Sequence, residues 1–235
     1  MIAIIGAMDE EVAILKDAIS IKEEEKIAHV EFTVGTLHNK DVVLLKSGIG
    51  KVNASIAATL LMQNFDVEAV INTGSAGGIK ENANVLDLVI SESVVYHDVD
   101  VTGFNYEYGQ VPGLPASFES DKKLVVSVAQ ILKKANASYI MGQIATGDAF
   151  VNKPSQLETV KRSFPKAVAL EMEAAAVAQV CYLFKKPFVV VRALSDIAGK
   201  ESHLSFDEFL VSAARVSSDM VSELVKELSF NGASD

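Results

Sequence analysis

Apolar positions along the 235-residue chain fall into short continuous runs separated by longer stretches with polar residues at helical intervals. The runs at residues 1–6, 68–73, 85–95, 139–146, 168–173 and 187–192 read as strands, several of them apolar on both faces. Residues 9–19 predict a helix with Val12, Ile14, Leu15 and Ile19 inward, and further helices are expected at 52–65, 121–134, 154–164 and 205–228. The segment from Ala174 through Phe184 is apolar nearly all round, so it reads as a buried helix. Residues 30–36 and 42–47 nearly alternate and are joined at His38-Asn39-Lys40-Asp41, the pattern of a hairpin. The charged stretch 22–26 reads as a solvated turn, Gly74-Ser75-Ala76-Gly77-Gly78 as a tight loop, and residues 96–117 as a long loop. Strands alternating with helices, plus one hairpin, predict an α/β/α fold with a mixed sheet. With no linker or repeat, residues 1–230 form one domain and 231–235 a polar tail.

Composition narrows the function classes. A hydrophobic content of 49% argues against disorder, yet no apolar run reaches the roughly 18 residues that span a bilayer. The strand-like opening Met1-Ile2-Ala3-Ile4-Ile5 lacks a basic leader, so no signal peptide is expected. Cys181, the single cysteine, cannot form an internal disulfide, which favours a reducing cytoplasm. A net charge of −10 argues against nucleic acid, or an anionic membrane, as a partner of any broad basic surface.

Candidate chemistry gathers at the ends of strands. Glu171 and Glu173 bracket Met172 where an apolar strand meets the buried helix, and acids in such surroundings need a partner or a use. On a strand both would face one side, although Glu173 could simply complement the dipole of the following helix. Arg192 ends another apolar strand and needs an acidic partner, which Glu171 or Glu173 could supply. Asp196 follows it, as the cap of a turn or as a carboxyl meeting a ligand. Asp9, Glu10 and Glu11 open the first helix, where acids complement the dipole or one of them faces a ligand. Ser47-Gly48-Ile49-Gly50-Lys51 has Leu45 where a Walker loop needs glycine, and Gly6-Ala7-Met8-Asp9-Glu10 lacks the dinucleotide-binding spacing. The Gly74–Gly78 glycines would let backbone N–H groups approach a ligand. His97-Asp98-Val99-Asp100 has nothing to complete a metal site, so no metal is expected. Phe104, Tyr106 and Tyr108 suit a lid, an interface or core packing.

Read in order, Gly6-Ala7-Met8-Asp9-Glu10-Glu11, Ser47-Gly48-Ile49-Gly50-Lys51-Val52, Asn72-Thr73-Gly74-Ser75-Ala76-Gly77-Gly78, Tyr96-His97-Asp98, Phe104-Asn105-Tyr106-Glu107-Tyr108-Gly109-Gln110, Gly147-Asp148-Ala149-Phe150, Glu171-Met172-Glu173-Ala174 and Arg192-Ala193-Leu194-Ser195-Asp196 resemble one family. It is the bacterial 5′-methylthioadenosine/S-adenosylhomocysteine nucleosidases of the purine nucleoside phosphorylase-like superfamily, and the resemblance runs from residue 1 to about 228. Asp9, Gly103 and Asn105 depart from the usual pattern, none at a position with an implied catalytic role. The resemblance implies a three-layer α/β/α sandwich around a mixed central β-sheet, a homodimer, no cofactor, and hydrolysis of an adenine N-glycosidic bond in methionine salvage. It implies that Asp196 protonates adenine, Glu173 holds the ribose hydroxyls, and Glu11 activates water with Ser75 and Arg192. Phe150 would stack on adenine, the Val151 backbone meet its edge, Ser195 steady Asp196, Met172 pack under the ribose, and Gly77 touch the substrate. Met8, Ile49 and Phe206, with Val101, Phe104 and Pro112 from a partner subunit, would line an apolar 5′ pocket. On this reading Glu11→Gln removes hydrolysis at unchanged stability.

Overall fold

A computed structural model of the protein describes residues 1–198 and 202–228, with the backbone alone at 202–205. The tail expected at 231–235 therefore lies outside the described residues, as does the expected domain end at 230. Four apolar runs form the middle of the molecule: β1 (Ile2–Gly6), β4 (Lys40–Lys46), β5 (Ala69–Gly78) and β10 (Phe188–Ile197), parallel in the order β4-β1-β5-β10. Their Val, Ile and Leu side chains are buried on both faces, as parallel strands under helices require. The hairpin forms as expected between β3 (Val30–Leu37) and β4, turning through His38 and Asn39, both at positive φ.

Two expectations need correction here. The stretch 22–26 is not a turn but part of β2 (Ser20–Ile27), which pairs with β3 at the edge of the sheet. No residue of β2 is buried, so it carries no apolar alternation, and its Lys and Glu residues suit an edge that must not pair further. The glycine run 74–78 is not a loop but the end of β5, paired with β10 throughout. Its glycines are needed for close approach. A Cβ on Gly74, at φ +141°, would stand 2.5 Å from both an Arg192 nitrogen and a Glu11 carboxylate oxygen.

Beyond β10 the sheet curls. β10 runs antiparallel to β6 (Leu88–Tyr96), β6 parallel to β8 (Tyr139–Thr146), and β8 parallel to β9 (Ala167–Glu171). β9 then returns to β5 through Gly77↔Leu170 and Gly78↔Ala169, so five strands close a ring beside the open wing β1-β4-β3-β2. β7 (Phe118–Glu119) adds a short edge to β6. The long connection 97–117 holds only a 3₁₀ turn at Thr102–Phe104.

Helices cover the sheet on both faces, completing three layers. On one side α2 (Lys51–Asn64) and α5 (Ala174–Phe184) pack through Ala54, Ala57, Ala58, Ala174 and Ala178, whose small side chains allow close contact. On the other lie α1 (Asp9–Ala18), α3 (Lys122–Lys134) and α6 (Ser202–Glu227), the last buried through Ala213, Val221, Leu224 and Val225. α4 (Pro154–Ser163) covers β8 and β9 with Leu157, Val160 and the adjoining Phe164. Asp121 caps α3 by accepting from the Lys123 and Leu124 N–H groups. The C-terminal ends of β1, β5, β9 and β10 consequently meet at one place, where open α/β sheets hold their ligands.

Candidate active site

Immediately after β1 the chain enters α1, and its three opening acids part company. Asp9 and Glu10 are exposed, Asp9 pairing with Lys46 at 2.7 Å, while Glu11 turns inward and is 1% exposed. Glu11 Oε2 accepts the Ala7 and Met8 N–H groups at 2.8 and 3.2 Å. Its Oε1 accepts the Ser75 N–H and hydroxyl at 2.8 and 2.9 Å. All four approaching groups are donors, the surroundings of an acceptor-only carboxylate.

Arg192, 1% exposed on β10, donates from Nη1 to the Thr73 carbonyl at 3.1 Å and from Nη2 to Asn72 Oδ1 at 2.9 Å. Nη2 also meets Glu171 Oε2 at 2.5 Å, with Glu173 Oε2 at 3.6 Å. Both acids thus reach the guanidinium, though not by strand alternation, because β9 ends at Glu171 and Glu173 is the N-cap of α5. The helix start is served by the other acid: Glu171 Oε2 accepts the Glu173 and Ala174 N–H groups at 3.0 and 2.7 Å. Thr146 donates its hydroxyl to Glu171 Oε1 and accepts the Ala175 N–H, fixing the junction. Among the described residues Glu173 keeps one hydrogen-bond partner, the Gly50 N–H at 2.9 Å to Oε1. Burial, then the neighbouring Glu171 charge, push the Glu173 carboxyl up to about 7, against the opposing pull of Arg192.

Asp196 is not in a turn after the strand but on β10 itself, 2% exposed. Ser195 donates its hydroxyl to Asp196 Oδ1 at 3.0 Å. Burial pushes this carboxyl up to about 6, a rise the Ser195 bond only partly offsets. The Gly77 Cα stands close by, since a Cβ there would lie 3.1 Å from Asp196 Oδ2.

These groups share a cavity of about 360 Å³. Eleven of the expected residues line it: Glu11, Glu173 and Asp196; Ser75, Gly77, Met172 and Ser195; and the apolar Met8, Ile49, Phe150 and Phe206. Phe150 is 42% exposed and meets Phe206 edge-on at 6.0 Å between centroids, leaving an aromatic face open to a planar ligand. Arg192 lies behind the lining, and Val151 is not part of it either, its side chain packing into the α4 cluster. Val101, Phe104 and Pro112 line no part of this chain's cavity. Ala7, Ala76, Leu170 and Asp207 line it without having been singled out; Ala7 and Ala76 lie within the motifs, and Leu170 and Asp207 each adjoin a residue that was. Among the described residues no cluster of three or more metal-ligating side chains occurs, and no helix is long and apolar enough to cross a membrane.

The chain is similar to proteins of known activity over nearly its whole length. The sequence model of the phosphorylase superfamily matches residues 1–226. The 5′-methylthioadenosine/S-adenosylhomocysteine nucleosidase of Bacillus pumilus is 57% identical over 227 residues, covering 96% of this chain and 98% of that protein. A crystal structure of the Neisseria meningitidis nucleosidase of the same name, in complex with methylthio-immucillin-A, superposes with a TM-score of 0.95. It is 42% identical, over 97% of this chain and 99% of that one. The Colwellia psychrerythraea nucleosidase in complex with adenine gives a TM-score of 0.92 at 45% identity, over 95% and 93% of the two chains.

Proposed function

Because the chain belongs to the phosphorylase superfamily, and within it to the 5′-methylthioadenosine/S-adenosylhomocysteine nucleosidases, we propose a division of labour among its buried carboxyls. The protein is an N-glycosyl hydrolase that releases adenine and a 5-thioribose from these two nucleosides, a step of methionine salvage. The observation that carries the assignment is the contrast between Glu11 and Asp196 across one cavity. Among the described residues Glu11 is held by four donors, whereas Asp196 has one hydroxyl donor and an elevated pKa.

Asp196 is the acid. Adenine leaves poorly as an anion, and a carboxyl raised to about 6 keeps a useful protonated fraction near neutral pH to place a proton on N7. Phe150 stacks on the base, with the Val151 backbone at its edge. As the bond stretches, the ribose becomes cationic. Glu173, on its hydroxyls, favours that state over the ground state once binding holds the carboxylate ionised. Glu11 takes a proton from the attacking water, which Ser75 and Arg192 help to orient. Three acids, Glu11, Glu171 and Glu173, surround the single guanidinium of Arg192, so the place of the nucleophile repels phosphate and admits neutral water.

The deciding assay is adenine release from 5′-methylthioadenosine in phosphate-free buffer and again with phosphate. Equal rates are expected. Release that requires phosphate would make the enzyme a phosphorylase and remove Glu11 as a base.

A homodimer belongs to the same reading. It is supported by exposed apolar side chains, Ile49 of the cavity lining at 51%, Val52 at 66% and Phe104 at 78%. Val101, Phe104 and Pro112 would reach the partner's 5′ pocket. Phe104→Ala is expected to raise KM for 5′-methylthioadenosine about tenfold, the scale of one lost aromatic contact, with little change in kcat. An unchanged KM in a species that sediments as a dimer would remove Phe104 from the pocket. A cytoplasmic location completes the reading, supported by a lone buried Cys181 whose thiol burial pushes up to about 12.

A further inference from the structure

The motif Tyr96-His97-Asp98 takes no part in the chemistry above, yet it anchors a ring of hydrogen bonds that joins both walls of the cavity. Lys51 Nζ meets the two Asp98 carboxylate oxygens at 2.7 and 2.6 Å. Asp98 Oδ2 also accepts the Asp148 N–H at 2.9 Å, and Asp148 Oδ1 accepts the Lys51 N–H at 2.8 Å. Three residues from segments about 50 positions apart therefore close on one another.

Each side of the ring leads into the site. Gly50, one residue before Lys51, donates its N–H to Glu173. Phe150, two residues after Asp148, is the open aromatic wall. Gly50 has φ +94°, and a Cβ there would lie 3.1 Å from Asp148 Oδ1, so the segment is held in a conformation that favours glycine. α2 has no side-chain cap of its own at Gly50, and the Asp148 carboxylate takes that place. Behind the ring, Lys51 Nζ stands 5.4 Å from the Tyr96 ring centroid, and the Tyr96 hydroxyl donates to Gln179 on α5.

We propose that Asp98, held by Lys51, is a positioning residue for the glycosidic cleavage: through the ring it fixes the Gly50 N–H on Glu173. An exposed ion pair contributes little by itself, but here about a quarter of each side chain is exposed and the carboxylate also holds a backbone N–H. Burial opposes the Asp98 charge. The Lys51 ammonium and the Asp148 N–H outweigh it, so the carboxyl sits below its ordinary range and stays anionic near neutral pH. A carboxylate displaced by a fraction of an ångström loses much of its effect on a transition state, so the ring acts on kcat through Glu173. This inference rests on the role given to Glu173 above.

The test is a cycle of Asp98→Ala, Glu173→Gln and the double variant, with kcat, KM and melting temperature on 5′-methylthioadenosine. Asp98→Ala is expected to lower kcat about tenfold with KM moved less than about threefold and an unchanged melting temperature. Asp98→Asn, which keeps an acceptor for the Asp148 N–H but turns an amide NH₂ towards the Lys51 ammonium, is expected to recover only part of that loss. In the Glu173→Gln background the Asp98→Ala step is expected to cost less than about twofold, because the group it positions has lost its charge. A normal kcat in Asp98→Ala beside a slow Glu173→Gln overturns the positioning role and leaves Glu173 standing. So does a tenfold loss that persists in the Glu173→Gln background, or one that follows the melting temperature. A normal kcat in Glu173→Gln alone overturns the reading of Glu173 instead.

Discussion

Asp196→Asn is expected to lower kcat/KM for 5′-methylthioadenosine by about 10²- to 10⁴-fold, the range carried by one positioned acid, while the nucleoside still binds. Asparagine has nearly the shape of the acid and keeps an oxygen for the Ser195 hydroxyl, but it has no proton to give to N7. The same substitution is expected to stabilise the fold. With an ordinary value of 3.8 and a folded value of about 6, Asp196 is protonated in both states below pH 3.8 and adds no penalty there. As pH rises from about 4 to 6 the unfolded chain ionises first, so stability is lost until the folded carboxyl ionises too. Above about 6 the penalty is constant, on the order of 2–3 kcal/mol, and an uncharged asparagine side chain would not carry it. The variant should therefore melt several degrees higher at pH 7.5, with the difference shrinking towards pH 4. Melting curves at both pH values, with turnover at pH 7.5, decide the matter. Turnover near normal sinks the acid role, and a difference in melting independent of pH sinks its elevated pKa.

What could be read from residues alone, and what could not, divides along the range of the interactions involved. The buried strands announced themselves because β-branched residues on both faces leave no other reading for runs such as Val189-Val190-Val191. The acids at strand ends stood out because isolated charge in apolar surroundings demands a partner, and Arg192 does meet both Glu171 and Glu173. β2 was hidden by the same logic, since a fully exposed edge strand has no buried face to leave a period. The Gly74–Gly78 run looks like a turn until Arg192 and Glu11 are seen against Gly74, contacts that no local pattern encodes. Closure of the strand ring by β9, and the ring of Lys51, Asp98 and Asp148, depend on pairings between distant segments. Glu171 shows the limit within a motif. Spacing marked the pair, but only the end of β9 decides that Glu171 serves the helix start, while Glu173, which lines the same cavity, meets the Gly50 N–H.

Glu11→Gln is expected to abolish hydrolysis, and the burial of Glu11 adds a second expected effect. From the sequence the substitution looks neutral to stability, because an acid in a first helical turn is commonly exposed. The observed Glu11 is buried, with two donors on each oxygen. Whichever way a glutamine amide is turned, its NH₂ faces two N–H or O–H donors and leaves at least one buried donor unpaired. The cost is about 1–3 kcal/mol for each such group, so a lower melting temperature is expected alongside the lost activity. A fall in stability therefore does not show that Glu11 is merely structural, and a second variant must separate the roles. Glu11→Ala removes the carboxylate and opens a space beside Ser75 into which a small carboxylate fits. Added formate can then accept the proton of water at the same place, so adenine release should rise with formate concentration in Glu11→Ala and not in the parent enzyme. A folded Glu11→Ala that formate leaves inactive, or one that turns over at the parental rate without it, would end the assignment of Glu11 as the base.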